Sequence, residues 1–303
     1  MKPLLSRVMS IMVLFFIGLS VSAEEIAVRD DLGNTLRLAQ PVQRIISLAP
    51  HTTELLFAAG AGGKIVGVAE FSDFPPEAKA IPRIGNFSTI DLERISLLKP
   101  DLIIGWHSGN PAAALARLKQ LGYAVFLSEP KTLSDIPAAL MQLAKLAGTT
   151  AQAQPAVDAY QAQLQQLKKR YAGQATLTVF YEIWNQPMMT VNGQHIINEV
   201  IEFCGGRNVF AGMIILAPTV AVEPVLAANP QVIIASSTQG RAPEWLNDWR
   251  QWTALEAVRY DNLFHVDADT INRHTPRILR GVEQICAALN TARRNMKVKT
   301  QAQ

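Results

Sequence analysis

Residues 149–171 read TTAQAQPAVDAYQAQLQQLKKRY, and this stretch decides how the rest of the chain is arranged. It is rich in Ala, Gln, Leu and Lys, which are good helix formers. Its apolar residues recur at spacings of three and four, as on one face of a helix, namely Val157, Tyr160, Leu164, Leu167 and Tyr171. Thr149 and Thr150 can cap its start, and Gly173 ends it. The pattern predicts an amphipathic helix of roughly 33 Å.

Short apolar runs alternate with helical patterns on both sides of this stretch. Runs at 44–48, 64–69, 102–105 and 124–127 precede it, and runs at 176–181, 232–235 and 263–267 follow it. Strands that alternate with helices are typical of a parallel sheet covered by helices. The sequence predicts an α/β fold of two Rossmann-like lobes joined by one long rigid α-helix. The alternative is one larger domain in which residues 149–171 form an ordinary surface helix.

The N-terminus has the pattern of a secretory signal peptide. Lys2 and Arg7 form a charged start, residues 9–19 are apolar, and small residues allow cleavage after Ala23. The apolar run is shorter than the ~20 residues of a membrane span, so the pattern predicts a free protein in the periplasm. The predicted parts are a signal peptide at 1–23, an N-terminal lobe at 24–148, the connecting helix at 149–173, a C-terminal lobe at 174–292 and a basic tail at 293–303.

The charges of the chain nearly balance once the signal peptide is removed. The full chain has 28 Lys and Arg against 25 Asp and Glu, and two of the basic residues belong to the signal peptide. The last residues contain bases and no acid, namely Arg293, Arg294, Lys297 and Lys299. So small a net charge does not indicate nucleic-acid binding, and the tail is predicted to be a solvated, frayed end.

Cys204 and Cys286 are the only cysteines. Their spacing fits no metal site, so one disulfide is the simplest interpretation in an oxidising compartment. Two buried free thiols are the alternative. A bridge would close a loop of about 83 residues, which chain-entropy theory values at roughly 4 kcal/mol.

The two halves contain similar patterns in the same order. Residues 54–60 (ELLFAAG) resemble residues 199–205 (EVIEFCG). Residues 93–105 (ERISLLKPDLIIG) resemble residues 223–235 (EPVLAANPQVIIA), with the same spacing from Glu to Pro. One pair of patterns precedes the long helix and the other follows it, which indicates two related lobes.

No motif in the chain requires a reaction. Residues 60–64 (GAGGK) resemble a phosphate-binding loop, but Ile65 stands at the Ser/Thr position and the segment follows a helix. Neither G-x-S-x-G nor H-E-x-x-H occurs, and no metal-ligand spacing relates the five histidines, which are His51, His107, His195, His265 and His274. Each histidine is predicted to be a loop or cap residue, with no metal site and no catalytic residue.

Aromatic and polar residues follow the predicted strands directly, where open α/β sheets bind ligands. These loops are 71–76 (FSDFPP), 86–89 (NFST), 106–110 (WHSGN), 184–189 (WNQPMM) and 269–274 (DTINRH). Aromatic rings provide stiff contact area, and amides and Arg provide directional hydrogen bonds. Any one loop could be an ordinary exposed loop, but together they predict a cleft for a large polar organic ligand.

Several motifs resemble those of the periplasmic substrate-binding proteins of ABC importers that have a rigid helical backbone. The resemblance covers residues 42–290 and is carried by TELLFAAG (53–60), SDFPP (72–76), LERISLLKPDLIIGW (92–106), CGGRNVF (204–210) and RHTPRILRGVEQICAAL (273–289). Within this family, the motifs are similar to those of the branch that binds cobalamin or related corrinoids.

This resemblance implies a carrier, not an enzyme, that takes cobalamin as a transported ligand and delivers it to ABC permease subunits in the inner membrane. A monomer is expected. The loops and the resemblance together predict the ligand-binding residues Phe71, Phe87, Trp106, Trp184, Asp269, Thr270, Ile271, Asn272 and Arg273. The resemblance implies that Glu93 and Glu223 dock onto the permease and that Cys204 and Cys286 form a disulfide.

Other functions remain open at this point. The same fold could bind haem through an axial His107 or His274, or a ferric siderophore through Arg83 and Arg273. An exported enzyme that uses the cleft is the alternative from another class, although no nucleophile and base can be paired.

Overall fold

The computed structural model describes residues 25–86, 88–237 and 240–301, so the predicted signal peptide lies outside the described residues. The strands are β1 Ile26–Arg29, β2 Thr35–Leu38, β3 Ile45–Ser47, β4 Ile65–Val68, β5 Leu102–Trp106, β6 Val125–Ser128, β7 Leu177–Glu182, β8 Trp184–Asn185, β9 Met188–Met189, β10 Gly206–Asn208, β11 Val232–Ser237 and β12 Leu263–Asp267. The helices are α1 Pro50–Ala58, α2 Leu92–Leu98, α3 Ala112–Gln120, α4 Asp135–Ala147, α5 Thr150–Tyr171, α6 Ile196–Phe203, α7 Val222–Ala228, α8 Glu256–Arg259, α9 Ala268–Ile271 and α10 Ile278–Gln301.

A parallel four-stranded sheet forms the centre of each lobe. The strand order is β4-β3-β5-β6 in the first lobe and β10-β7-β11-β12 in the second. Counted along the chain, both orders read second, first, third, fourth, so the two lobes have the same topology. This agrees with the repeated sequence patterns. The order reverses between β3 and β5 and between β7 and β11, where ligand-binding loops are expected.

Each sheet has one face in a core that both lobes share. In β3, Ile45 packs into the shared core and Ile46 into a core confined to the first lobe. In β7, Val179 packs into the shared core and Phe180 into a core confined to the second lobe. Successive side chains of a strand point to opposite faces, so each sheet is covered on both sides.

Helix α5 packs against the shared core along its predicted apolar face. Its buried residues are Ala153, Val157, Tyr160, Leu167 and Tyr171. The Tyr160 hydroxyl donates to the carbonyl oxygen of Leu133 in the first lobe at 2.8 Å. The predicted cap is wrong, because the Thr149 hydroxyl donates to the Ala59 carbonyl oxygen at 2.6 Å and does not cap α5.

The second repeated pattern folds in the same way in both lobes. Helices α2 and α7 each have seven residues and end at a left-handed residue, Lys99 with φ 45° and Asn229 with φ 42°. A proline follows each of these residues and leads into β5 or β11. The equivalent glutamates, Glu93 and Glu223, lie in the first turns of these helices and are exposed.

The predicted disulfide is present between Cys204 and Cys286, whose Cα atoms are 4.7 Å apart. The prediction that the chain frays from Arg293 is wrong, because α10 continues to Gln301. Arg293 donates to the carbonyl oxygens of Ala175 at 2.8 Å and of Cys204 at 2.9 Å. Arg293, the first residue of the predicted basic tail, therefore links α10 to the residue ranges just before β7 and just after α6.

Two local features differ from the sequence pattern. The sequence pattern predicts that Thr89 caps this helix, but Asp91 caps α2, since its carboxylate accepts from the Arg94 backbone N–H at 2.9 Å. The pattern predicts no element at 128–148, where the structure has α4. In the part of the chain that the structure describes, no helix is long and apolar enough to cross a membrane.

Candidate ligand-binding cleft

The loops at the carboxyl ends of the strands bring the two lobes together. In the second lobe, His274 Nδ1 lies 2.9 Å from the Pro130 carbonyl oxygen of the first. The Leu133 N–H of the first lobe donates to Glu199 of the second at 2.7 Å. A cavity of about 210 Å³ between these loops is lined by residues of both lobes, including His107. Two of the predicted loops, 106–110 and 269–274, thus contribute to a space that the two lobes share.

Phe71 presents an exposed ring just beyond the end of β4. The residue is 66% exposed and has a φ of 64°, in the left-handed region that residues with a side chain rarely adopt. The following residue, Ser72, is fully buried. Its hydroxyl accepts from Thr53 Oγ1 at 3.1 Å and its carbonyl oxygen accepts from Arg83 NH1 at 2.9 Å. Phe71 is therefore an exposed aromatic residue on a fixed loop.

Trp106 ends the neighbouring strand β5 and is half-buried. Its indole lies over Gly109, where an added Cβ would come within 2.0 Å of the ring, so the loop requires glycine there. The edge of the His51 ring packs against Trp106 at a centroid distance of 5.1 Å. Asn110 accepts from the Trp106 backbone N–H at 2.7 Å and donates to the Leu48 carbonyl oxygen at 3.0 Å. These contacts tie the ends of β3 and β5 together.

Trp184 lies on the small hairpin of β8 and β9 and is 57% exposed. Its indole N–H donates to the Gln186 carbonyl oxygen at 2.9 Å. A cavity of about 590 Å³ in the second lobe is lined by Trp184, Trp245, Glu244 and Asp248, among others. The second lobe therefore offers an aromatic and acidic surface at the reversal point of its sheet.

The predicted ligand loop at 269–273 is only partly available. Thr270 is 4% exposed and Ile271 is fully buried, because both side chains turn into the lobe from helix α9. The proposed contact of these two residues with a ligand stays a prediction, and their side chains are turned away from the surface in this structure. Asn272 donates to Ser236 Oγ at 3.1 Å, while Asp269 remains half-exposed on its side chain.

Arg273 connects the lobes instead of standing free. Its side chain is 11% exposed and forms ion pairs with Glu54 at 2.8 Å, Asp73 at 2.9 Å and Asp269 at 2.7 Å. Glu54 and Asp73 belong to the first lobe, and Asp269 to the second. Three carboxylates therefore surround the positive charge that the sequence offers for an anionic ligand.

Three histidines form a row across the contact between the lobes. The ring of His274 lies 6.0 Å from that of His51 and 5.7 Å from that of His195. Burial lowers the pKa of His51 and of His195 to about 3, and burial also lowers the pKa of His274. His195 caps α6 through Nδ1, as predicted for a cap residue. All three rings are therefore neutral near pH 7.

Three predicted residues remain to be placed, namely Phe87, Glu93 and Glu223. Phe87 lies outside the described residues. Glu93 and Glu223 are exposed in the first turns of α2 and α7, which lie on the carboxyl-end side of the two sheets. Their docking role stays a prediction.

Glu182 is a polar residue beneath the cleft that the sequence analysis does not single out. It ends β7 and is 1% exposed. Its Oε2 accepts from Trp249 Nε1 at 2.9 Å, while Oε1 has no hydrogen-bond partner in the described part of the chain. Burial raises its pKa to about 7, and nearby Asp248 adds to this. The sequence signal that could have identified Glu182 was an acidic residue at the end of a mostly apolar strand.

With this architecture, the chain belongs to the periplasmic binding protein family, which matches residues 45–270. It is similar to the vitamin B12-binding protein of Vibrio cholerae serotype O1, with 42% identity over 255 residues that cover 84% of this chain and 91% of that protein. It is also similar to the vitamin B12-binding protein of Yersinia pestis, with 36% identity over 248 residues that cover 82% of this chain and 86% of that protein.

Solved structures give the same picture of the fold. The crystal structure of the periplasmic vitamin B12-binding protein BtuF of Vibrio cholerae matches with a TM-score of 0.78 and 41% identity, covering 84% of this chain and 98% of that one. A periplasmic heme-binding protein from Pseudomonas aeruginosa matches with a TM-score of 0.70 and 21% identity, covering 82% of this chain and 92% of that one. The second likeness concerns the fold alone.

Glu182→Gln should stabilise the protein at pH 8 and have little effect at pH 4.5. Because burial raises the pKa from 4.5 to about 7, the folded protein holds this proton more tightly than the unfolded chain does. Its contribution is complete below the unfolded pKa and is lost as the pH rises through about 7. The variant removes the charge and keeps an acceptor for Trp249, so its free energy of unfolding at pH 8 should exceed the wild-type value by about 3 kcal/mol.

Urea unfolding at both pH values measures this difference. Glu244→Gln, an exposed carboxylate at the neighbouring cavity, is the matched control and should leave the pH dependence unchanged. An equal difference between Glu182→Gln and wild type at pH 4.5 and pH 8 would contradict the assignment.

Proposed function

We propose that this chain captures cobalamin or a related corrinoid between its lobes and delivers it to the permease of an ABC importer. One observation carries the proposal: exposed aromatic rings, Phe71 and Trp184, stand at strand ends of both lobes in a chain similar to vitamin B12-binding proteins. Stacked aromatic rings suit the large flat surface of a corrin. Trp106 and, from the sequence alone, Phe87 complete the proposed aromatic set.

The charges around the cleft favour a neutral ligand over an anionic one. Glu54, Asp73 and Asp269 pair with Arg273, and Arg83 is engaged with the Ser72 carbonyl oxygen. The 590 Å³ cavity of the second lobe has Glu244 and Asp248 in its wall, and its described lining contains no Lys or Arg. Corrinoids carry neutral amide groups that can bond to such polar walls, whereas ferric siderophores and haem carboxylates need cations. This disfavours the siderophore.

Haem remains the second candidate ligand, and this alternative depends on one residue, His107. His274 Nδ1 is bonded to the Pro130 carbonyl oxygen and its ring lies between two other histidines, so only Nε2 could bind iron and the ring is less accessible than that of His107. His107, in contrast, is exposed at the 210 Å³ cavity between the lobes. His107 is therefore the residue through which a haem iron could be bound.

The remaining features of the proposal concern the carrier as a whole. We expect export to the periplasm with cleavage after Ala23, in keeping with the family. We expect no catalytic activity, because the relatives are named for binding, and the resemblance to carriers of this family leads us to expect a monomer.

Calorimetric titration of residues 24–303 with cyanocobalamin, haemin and a ferric siderophore tests the ligand. We expect one-to-one binding of cyanocobalamin and no comparable binding of the other two. Phe71→Ala and Trp184→Ala should each weaken binding roughly tenfold, because a stacking surface is lost. Trp252→Ala, an exposed tryptophan at a separate cavity near α7, is the matched control and should bind as wild type does.

Binding of haemin in preference to cyanocobalamin would overturn the corrinoid proposal, and its loss in His107→Ala would support the haem alternative. Equal affinities for wild type and Phe71→Ala would remove Phe71 from the site.

Glu93→Ala and Glu223→Ala should impair transport without changing ligand affinity. Both carboxylates are exposed, and a basic surface of the permease would pair with them. Uptake of labelled cyanocobalamin should fall several-fold in each variant and further in the double variant. Glu77→Ala, another exposed glutamate at a helix start, serves as the control. Loss of ligand binding in purified Glu93→Ala would contradict the docking role.

A further inference from the structure

The loop that carries Phe71 is held from the opposite lobe. The guanidinium of Arg277, which precedes α10 in the second lobe, lies over the Phe74 ring at 3.8 Å from its centroid. The neighbouring Asp73 accepts from Arg273 NH1 at 2.9 Å. Two consecutive residues of the first-lobe loop therefore contact two arginines of the second lobe.

Arg277 is fixed in turn by a buried carboxylate of the first lobe. Its Nε donates to Glu54 Oε2 at 2.9 Å and its NH2 to Glu54 Oε1 at 2.6 Å, a two-pronged pair that sets the plane of the guanidinium. Glu54 is 2% exposed on its side chain and also accepts from Arg273 and from Thr275 Oγ1. Glu54 of helix α1 therefore fixes the segment 273–277. This segment contacts the Phe71 loop through Arg273 and Arg277.

The backbone conformation of Phe71 shows why these contacts between the lobes matter. A left-handed backbone at a residue with a large side chain is strained and persists only where the surroundings enforce it. Ser72 fixes the loop from within the first lobe, and Asp73 and Phe74 fix it from the second lobe. The position of the exposed Phe71 ring therefore depends on contacts made by its neighbours Ser72, Asp73 and Phe74.

We propose that Arg277 is a positioning residue of the cleft: bound to Glu54 and stacked on Phe74, it holds the Phe71 ring in place from the opposite lobe. The proposal rests on the function proposed above, in which Phe71 contacts the ligand. Because the Glu54 cluster holds the two lobes together, the Phe71 surface is formed before a ligand arrives.

A double-mutant cycle between Arg277→Gln and Phe71→Ala tests the proposal in residues 24–303. Arg277→Gln should weaken cyanocobalamin binding roughly tenfold in the wild-type background and less than about twofold when Phe71 is already Ala. Arg277→Lys, which keeps the charge and loses the flat stacking surface, should fall between. Arg280→Gln, the same change at an exposed residue three positions further on, should bind as wild type does.

Hydrogen exchange of the ligand-free protein provides a readout that does not depend on the ligand. Backbone amides of residues 71–74 should exchange faster in Arg277→Gln than in wild type or Arg280→Gln, while those of β5 and β7 remain unchanged. Exchange at 71–74 that stays at the wild-type rate, or an equal loss of affinity in both backgrounds of the cycle, overturns the proposal. A wild-type protein that binds no cyanocobalamin overturns the proposed function instead, and the exchange result then decides the positioning role alone.

Discussion

The arrangement of the two lobes depends on the hydrogen bonds and ion pairs of one buried carboxylate, that of Glu54. It accepts hydrogen bonds from Arg273, Thr275 and Arg277, all in the second lobe. Taking charges out of water is costly, so such a cluster is stable only where every partner is satisfied, and removal of one partner leaves the others exposed to that cost. Glu199 makes the reciprocal contact, from the second lobe to the backbone of the first. Each lobe therefore holds the other through a carboxylate.

These contacts explain why the cleft can be formed before a ligand arrives. Helix α5 joins the lobes along the shared core, and bending a continuous helix would break its hydrogen-bond ladder. The Glu54 cluster fixes the lobes on the side of the strand-end loops, where Phe71 and Trp184 are exposed. The same cluster neutralises Arg273, so the charge that would attract an anion serves the contact between lobes. A fixed aromatic cleft whose arginine is already paired with carboxylates suits a large neutral ligand.

Local sequence patterns predicted most of the elements, although not α4, and they did not predict the contacts between distant parts of the chain. The apolar spacing of α5, the alternation of strands and helices and the repeated patterns are local signals, and the structure contains all of them. The repeat placed Glu54 and Glu199 at equivalent positions but gave them no role, and the partners of Glu54 could not be predicted because Arg273 lies 219 residues away. Thr270 and Ile271 resembled ligand residues by position, and only the turn of α9 shows that they face inward. Arg293 appeared in a basic tail because its carbonyl partners are far away in sequence.

The central claim is that the two lobes keep one relative position whether or not the cleft is filled. Small-angle X-ray scattering of residues 24–303 with and without saturating cyanocobalamin measures this most directly, because the profile at low angle reports the distance between the lobes. We expect two profiles that superimpose within error. A clear decrease in the radius of gyration on binding would contradict it, since the lobes would then close around the ligand despite α5 and the Glu54 cluster.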